Sequence, residues 1–183
     1  MSITKERQQT GFLALKETFG YTSPMQSPRV EKVIVSSGVG KKRDKKQLEV
    51  IEDRLARITG QKPSPRGAKI SIASFKVREG DTVGLQITLR GARMYDFLDK
   101  LIHIALPRTR DFRGLSPKSI DDMGNLTIGI REHTIFPETS DEDLKDVFGL
   151  AITIVTSAKN KKEAEAYLRH LGLPLVVDSK VKN

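Results

Sequence analysis

The stretch TVGLQITLR, residues 82–90, is the part of this 183-residue chain that decides its fold. Apolar residues alternate along it with polar or small ones, which is the period-two pattern of a half-buried β-strand. Its apolar face consists of Val83, Leu85, Ile87 and Leu89, and its other face of Gly84, Gln86, Thr88 and Arg90. A strand with one solvated face is typical of antiparallel sheets.

The segments on either side predict four further strands and four helices. The strands are predicted over residues 30–36, 69–77, 126–130 and 150–156, and the turn Arg78-Glu79-Gly80-Asp81 predicts a hairpin between 69–77 and 82–90. Apolar residues at helical spacing predict helices over 3–19, over 44–59 with Asp44 as the N-cap, over 92–106 and over 161–171. The stretch GQKPSPRG, residues 60–67, predicts an exposed loop.

These elements predict one α+β domain over residues 1–183. The strands do not alternate regularly with crossover helices, so we expect a mainly antiparallel five-stranded sheet with four helices largely on one face. Residues 1–20 form its N-terminal helix with Gly20 as the stop, and residues 175–183 form a short basic tail.

The composition favours a polyanionic partner. The chain has 32 Lys and Arg against 23 Asp and Glu, giving a formal net charge of +9, and so large an excess on a small domain is typical of nucleic-acid binding. The absence of cysteine excludes disulfides and thiolate chemistry and fits the cytoplasm. No apolar run approaches the ~18 residues of a membrane span, and no apolar signal core opens the chain, so no membrane partner is expected.

Nucleotide cofactors fit the sequence poorly. Val33 to Lys46, VIVSSGVGKKRDKK, offers two glycines after a strand, but Arg43 stands where a dinucleotide fingerprint needs its third glycine. A phosphate loop would need glycine in place of Val35 and Ser or Thr in place of Lys42. We therefore interpret Gly38-Val39-Gly40 as a tight turn and expect no cofactor.

Catalytic and metal sites are not indicated either. The three histidines, at positions 103, 133 and 170, lie in separate predicted elements with no shared ligand spacing. Glu138, Asp141, Glu142 and Asp143 form a carboxylate cluster without the spacing and internal glycine of a calcium loop. We expect neither a catalytic residue nor a metal ligand, and interpret this cluster as a solvated acidic loop that opens a short helix.

The distribution of charge points to folded RNA. Residues 61–93 carry seven cations against two carboxylates and residues 107–118 four against one, whereas residues 137–146 carry five carboxylates against one lysine. This polarity suggests nucleic acid on one face and a basic protein on another. Because the polar face of strand 82–90 has no aromatic residue for stacking, contacts to phosphates and 2′-hydroxyls of a folded RNA are favoured. The alternative is a basic adaptor that binds another protein, with RNA incidental.

Five blocks of sequence resemble the family of large-subunit ribosomal protein five, the 5S rRNA-binding protein, in its bacterial form. In order they are MQSPRVEKVIVSSGVG, ITGQKP, FKVREGDTVGLQITLRGARMYDFLDKLI, LPRTRDFRGLSPKS and GNLTIGIREHTIFPE. The resemblance covers about residues 21–174. It implies an α+β fold without catalysis, and attachment of 5S rRNA in the central protuberance beside large-subunit rRNA and neighbouring ribosomal proteins. It also implies contact with the elbow of the P-site tRNA and an intersubunit bridge to small-subunit protein thirteen.

The resemblance also implies roles for particular residues. The 5S rRNA contacts would be Lys32, Ser36, Gln61, Thr88 and Arg90, and the tRNA-facing loop at 61–81 would use Arg66, Lys69, Lys76 and Arg78. The resemblance fixes no role for Lys41 to Lys46; the charge distribution alone indicates an additional basic patch, which comprises Lys41, Lys42, Arg43, Arg108, Arg110 and Arg113. Two departures stand out: Ser36 replaces the usual Asn, and Ile120 to Gly124 replaces Phe-Asp-Gly-Arg-Gly, which argues against an RNA contact at 120–123.

Overall fold

The computed structural model describes residues 2–40, 45–139 and 147–176, and shows the expected α+β fold. The helices are α1 (Ile3–Phe19), α2 (Lys45–Thr59), α3 (Ala92–Lys100) and α4 (Lys161–Leu171). The strands are β1 (Val30–Gly38), β2 (Ser64–Gly67), β3 (Thr82–Leu89), β4 (Leu126–Ile130) and β5 (Leu150–Thr156). They form one antiparallel five-stranded sheet in the order β2-β3-β1-β5-β4.

The chain divides into two compact units. The first consists of Met1–Val33, Arg90–Ile128 and Thr153–Asn183, and the second of Ile34–Leu89 and Gly129–Ile152. In both units the core consists of the apolar stripes that the sequence predicts. Leu98 of α3 and Leu168 of α4 are buried in the first, and Leu55 of α2 and Ile87 of β3 in the second.

In the first unit, polar contacts fix α1 against α3 and α4. The Thr4 backbone N–H donates to Asp99 Oδ1 at 2.8 Å. The Gln8 side chain donates to the Tyr95 hydroxyl at 2.7 Å and accepts from the Tyr167 hydroxyl at 3.1 Å. Burial opposes ionisation of Asp99, but hydrogen bonds from the first residues of α1 prevail and hold its pKa below the usual value. The orientation of α1 is therefore set by specific partners as well as by apolar packing.

The stability of the first unit should fall at alkaline pH. Burial, together with the hydrogen bond from the Tyr21 hydroxyl to Glu163, raises the pKa of Tyr21 above its ordinary 10.0. Burial likewise raises the pKa of Tyr167. Since the folded protein keeps both phenols protonated while the unfolded chain releases their protons, their stabilisation is complete below about pH 10 and lost above it. Urea unfolding at pH 8 and 11 should show this fall, and the Tyr21→Phe/Tyr167→Phe variant should show a smaller one. An equal fall in both proteins would contradict the assignment.

The predicted hairpin has the wrong first strand. Residues 69–77 form no strand of the sheet; the partner of β3 is β2, paired antiparallel with Ser64 opposite Gln86 and Arg66 opposite Gly84. The predicted loop at 60–67 is therefore wrong over 64–67. Pro65 is tolerated because β2 lies at the edge of the sheet, where one side of the strand needs no N–H donors.

One predicted helix differs from the structure, and several other predicted features fall outside the described residues. The predicted helix 92–106 consists of α3 followed by a π-helical turn, Leu101–Ala105. Asp44 and the carboxylates at 141–143 lie outside the described residues, as does most of the predicted basic tail. No helix in the described part of the chain is long and apolar enough to cross a membrane.

Candidate nucleic-acid interface

One face of β1 and β3 in the second unit is polar and partly open. Burial along β3 alternates: Leu85, Ile87 and Leu89 are buried, whereas the residues between them are only half-buried. The same alternation continues on the neighbouring strand β1. The half-buried residues of this face are Ile34, Ser36, Gly84, Gln86 and Thr88. None of them is aromatic, so the face offers hydrogen-bonding groups and no stacking platform.

Arg66 extends this face onto the edge strand. Arg66 lies on β2, directly opposite Gly84 of β3. Residues that are directly opposite in an antiparallel pair project to the same side of the sheet. The Arg66 Nε donates to Gln86 Oε1 at 2.6 Å, and the residue is exposed. Because a guanidinium has five N–H donors, this contact orients the side chain and leaves donors for a ligand. The structure thus places Arg66 on the sheet, apart from the three other cations predicted for the tRNA-facing loop.

Gln61 and Thr88 lie side by side although 27 residues separate them in the chain. Helix α2 ends at Thr59, and Gly60, whose φ of +69° suits glycine, follows it as the chain leaves the helix. Gln61 Nε2 donates to the Thr88 backbone carbonyl at 3.4 Å. This long contact uses one of the two amide hydrogens of Gln61, so the amide is held beside Thr88 with donor capacity remaining. Ser36 belongs to the same unit of the structure as Gln61 and Thr88.

The other predicted 5S rRNA contacts belong to the first unit. Lys32 lies half-buried on β1, four residues before Ser36, and Arg90 is exposed immediately after β3. Of the additional basic patch, Arg108, Arg110 and Arg113 lie in the segment between the π-helical turn and β4, and Lys41, Lys42 and Arg43 lie outside the described residues. Arg108, Arg110 and Arg113 are all exposed, so these cations occupy accessible positions.

The segment between β2 and β3, residues 68–81, is a closed loop that carries three cations. At its base, the Ala68 backbone N–H donates to the Asp81 carbonyl at 2.9 Å, and the Gly80 N–H donates to the Ala68 carbonyl at 3.0 Å. Further along, the Glu79 backbone N–H donates to Ser71 Oγ at 2.9 Å. The cations are Lys69, Lys76 and Arg78, none of which is buried. They are thus displayed from a hydrogen-bonded frame, apart from the sheet face.

Within residues 120–124, Asp121 matches the family pattern and has a structural role, whereas Ile120, Asp122 and Met123 depart from the pattern. Asp121 accepts from the Asn125 backbone N–H at 2.6 Å and from Asn125 Nδ2 at 2.9 Å. Although desolvation acts in the opposite direction, hydrogen bonds from Asn125 and the Met123 backbone hold the pKa of Asp121 below its usual value. The carboxylate therefore organises the turn before β4, which gives it a role independent of RNA.

A basic α+β protein with a polar, aromatic-free sheet face and a cationic loop belongs to the class of RNA-binding proteins. Residues 23–78 match the family described as Ribosomal protein L5, and residues 82–175 match the model for the C-terminus of that ribosomal family. The chain belongs to the ribosomal protein L5 family. It is a structural, non-enzymatic constituent of the large ribosomal subunit, and the predicted cytoplasmic location on ribosomes agrees with this membership.

Individual relatives support the same membership. Large ribosomal subunit protein uL5 of Rubrobacter xylanophilus is 54% identical over 162 residues, which cover 88% of this chain and 90% of the relative. The proteins of the same name from Thermoanaerobacter sp. strain X514 and Anaeromyxobacter sp. strain K are 51% and 48% identical. Their matches cover 95% and 93% of this chain and 98% and 96% of the relatives, respectively.

Proposed function

We propose that this large-subunit protein binds 5S rRNA through the polar face of β1, β3 and β2 and attaches it in the central protuberance. The observation that supports this most directly is the pair of side-chain contacts that orient Gln61 on Thr88 and Arg66 on Gln86. Together they present amide, hydroxyl and guanidinium groups, which are suited to phosphates, 2′-hydroxyls and groove edges of a folded RNA.

Lys32, Ser36 and Arg90 complete the proposed 5S contacts. A lysine or arginine supplies a charge-assisted hydrogen bond to phosphate, whereas the Ser36 hydroxyl can donate one hydrogen bond and accept others. Where the family usually has Asn, the shorter serine reaches less far, so we propose that a water bridges it to the RNA.

The loop 68–81 and the acidic segment 137–146 carry the other proposed contacts. Lys69, Lys76 and Arg78 would meet the backbone of P-site tRNA, since loop cations suit partners whose sequence varies. The acidic segment would bridge to small-subunit protein thirteen by charge complementarity; most of its residues lie outside the described part of the chain.

Three substitutions test the 5S interface. Thr88→Val and Gln61→Ala should each weaken 5S rRNA binding by about 0.5–1.5 kcal/mol while leaving its salt dependence unchanged, because they remove neutral hydrogen-bonding groups. Lys32→Gln should weaken binding and lower the salt slope by about one phosphate contact. Binding would be titrated by gel shift at several salt concentrations.

The matched controls are a substitution and a competitor RNA. Thr18→Val changes an exposed threonine of α1 and should leave binding unaltered, and an unrelated folded RNA of equal mass should bind more weakly than 5S rRNA. Equal affinity for both RNAs would show that RNA binding is incidental and favour the adaptor alternative. Identical slope changes in all three variants would refute the division into neutral and phosphate contacts.

A further inference from the structure

The tip of the loop 68–81 is a small, doubly hydrogen-bonded turn. Ile72 and Val77 form an isolated antiparallel bridge through backbone hydrogen bonds of 2.9 and 3.2 Å. Between them, Ala73–Phe75 forms a 3₁₀ turn whose end is closed by the Lys76 N–H on the Ala73 carbonyl at 3.0 Å. The side chains at positions 75 and 76 are therefore presented from a defined backbone.

This turn displays an aromatic ring to solvent. Phe75 is 71% exposed, and it is the one aromatic residue among the exposed large hydrophobic residues in the described parts of the chain. The sequence pattern does not predict this exposure, because the alternation over 69–77 predicts a strand and so places the ring in a sheet. Two phenylalanines of the described core, Phe97 and Phe136, are by contrast almost completely buried. An exposed ring on a hydrogen-bonded turn indicates a contact surface.

The residue after the ring holds an unusual backbone conformation. Lys76 has φ +51° and ψ +38°, the left-handed region that lysine seldom adopts. It shares a positive φ with only one other non-glycine residue of the described chain, Asp111. Such conformations persist where the surrounding structure fixes them, and they concentrate at binding sites. Here the left-handed residue reverses the chain directly beside Phe75, so a ring and an ammonium group are displayed from adjacent positions.

We propose that Phe75 stacks on an open nucleobase face of the RNA that this loop contacts, while Lys76 binds the adjoining phosphate. An aromatic ring beside a cation is the combination that proteins use to bind one base together with its backbone. The nearby cations Lys69 and Arg78 favour a polyanion over an apolar protein pocket. The inference rests on the proposed tRNA contact and deepens it: the loop recognises a flat base surface as well as phosphates.

The test compares three substitutions in assembled ribosomes that hold deacylated P-site tRNA. Phe75→Leu removes the π-face and should speed tRNA dissociation roughly tenfold. Phe75→Trp keeps a larger ring and should dissociate at the wild-type rate or more slowly. Ile70→Ala, which alters another exposed apolar residue of the same loop, should change the rate by less than about twofold, because it leaves the ring in place. All three should bind isolated 5S rRNA as the wild type does, because the turn lies outside the sheet face.

The outcomes separate stacking from the tRNA contact itself. Unchanged dissociation with Phe75→Leu, combined with faster dissociation when the loop cations are neutralised, would refute stacking and keep the proposed tRNA contact. No effect of either change would refute both. Equal defects with Phe75→Leu and Phe75→Trp would show that the site needs the shape of phenylalanine and would overturn base stacking.

Discussion

Gly124→Ala should be the most damaging single-methyl substitution in the turn before β4, with a loss of about 2–5 kcal/mol in the free energy of unfolding. Gly124 is buried and has φ +80°, a conformation that costs alanine roughly 1–2 kcal/mol. A Cβ at this position would lie 2.9 Å from Ala158 Cβ and 3.2 Å from the Ala158 carbonyl oxygen. Relieving that overlap in a packed region adds roughly 1–3 kcal/mol.

The surroundings of Gly124 leave little room for relaxation. Its carbonyl accepts from Thr156 Oγ1 at 2.7 Å, so moving the backbone away from Ala158 would strain a buried hydrogen bond. Gly129→Ala on β4 is the matched control, since its Cβ would meet nothing within 4 Å and its φ is not positive. Denaturant titration of both variants checks the prediction. A loss for Gly124→Ala no larger than that of the control would show that the turn adapts freely.

The elements with a clear period are predictable from the sequence. Helix α1 ends at Phe19 because Gly20 follows, and β4 and β5 have the predicted bounds because their alternation is uninterrupted. The segment 69–77 shows the limit of this reasoning. Ile70 and Phe75 fit the alternation of a strand, but both are 71% exposed and lie outside the core. Periodicity alone cannot distinguish apolar residues that pack inside the protein from those that face a partner.

The sequence predicts which side chains of β3 lie on its polar face, but not how that face is arranged with its neighbours. The alternation of β3 is sufficient to place Gln86 and Thr88 on the polar face. The contacts of Gln61 with Thr88 and of Arg66 with Gln86 depend on how β2 and β3 pair, and the prolines in and beside β2 conceal that strand in the sequence. This register places Arg66 on the sheet, whereas its predicted role is contact with tRNA, and the difference leads to an experiment that separates the two proposed RNA contacts.

Neutralising the three loop cations should release P-site tRNA and leave 5S rRNA binding almost intact. In Lys69→Gln/Lys76→Asn/Arg78→Gln, asparagine is chosen at position 76 because it tolerates the left-handed backbone. Three lost phosphate contacts should speed tRNA dissociation from assembled ribosomes by about 10- to 100-fold. Binding of isolated 5S rRNA should change by less than about threefold, since exposed charges outside the sheet face act on it only through screened long-range attraction.

Arg66→Gln is the matched control, because it removes one cation from the same chain segment but from the sheet face. It should weaken 5S rRNA binding and lower its salt slope by about one contact while tRNA dissociation stays at the wild-type rate. The two variants should therefore show opposite patterns in the same pair of measurements. If Arg66→Gln releases tRNA, or if the loop variant loses 5S rRNA, the division between sheet and loop is wrong. The contact between Arg66 and Gln86 would then orient the arginine for tRNA instead.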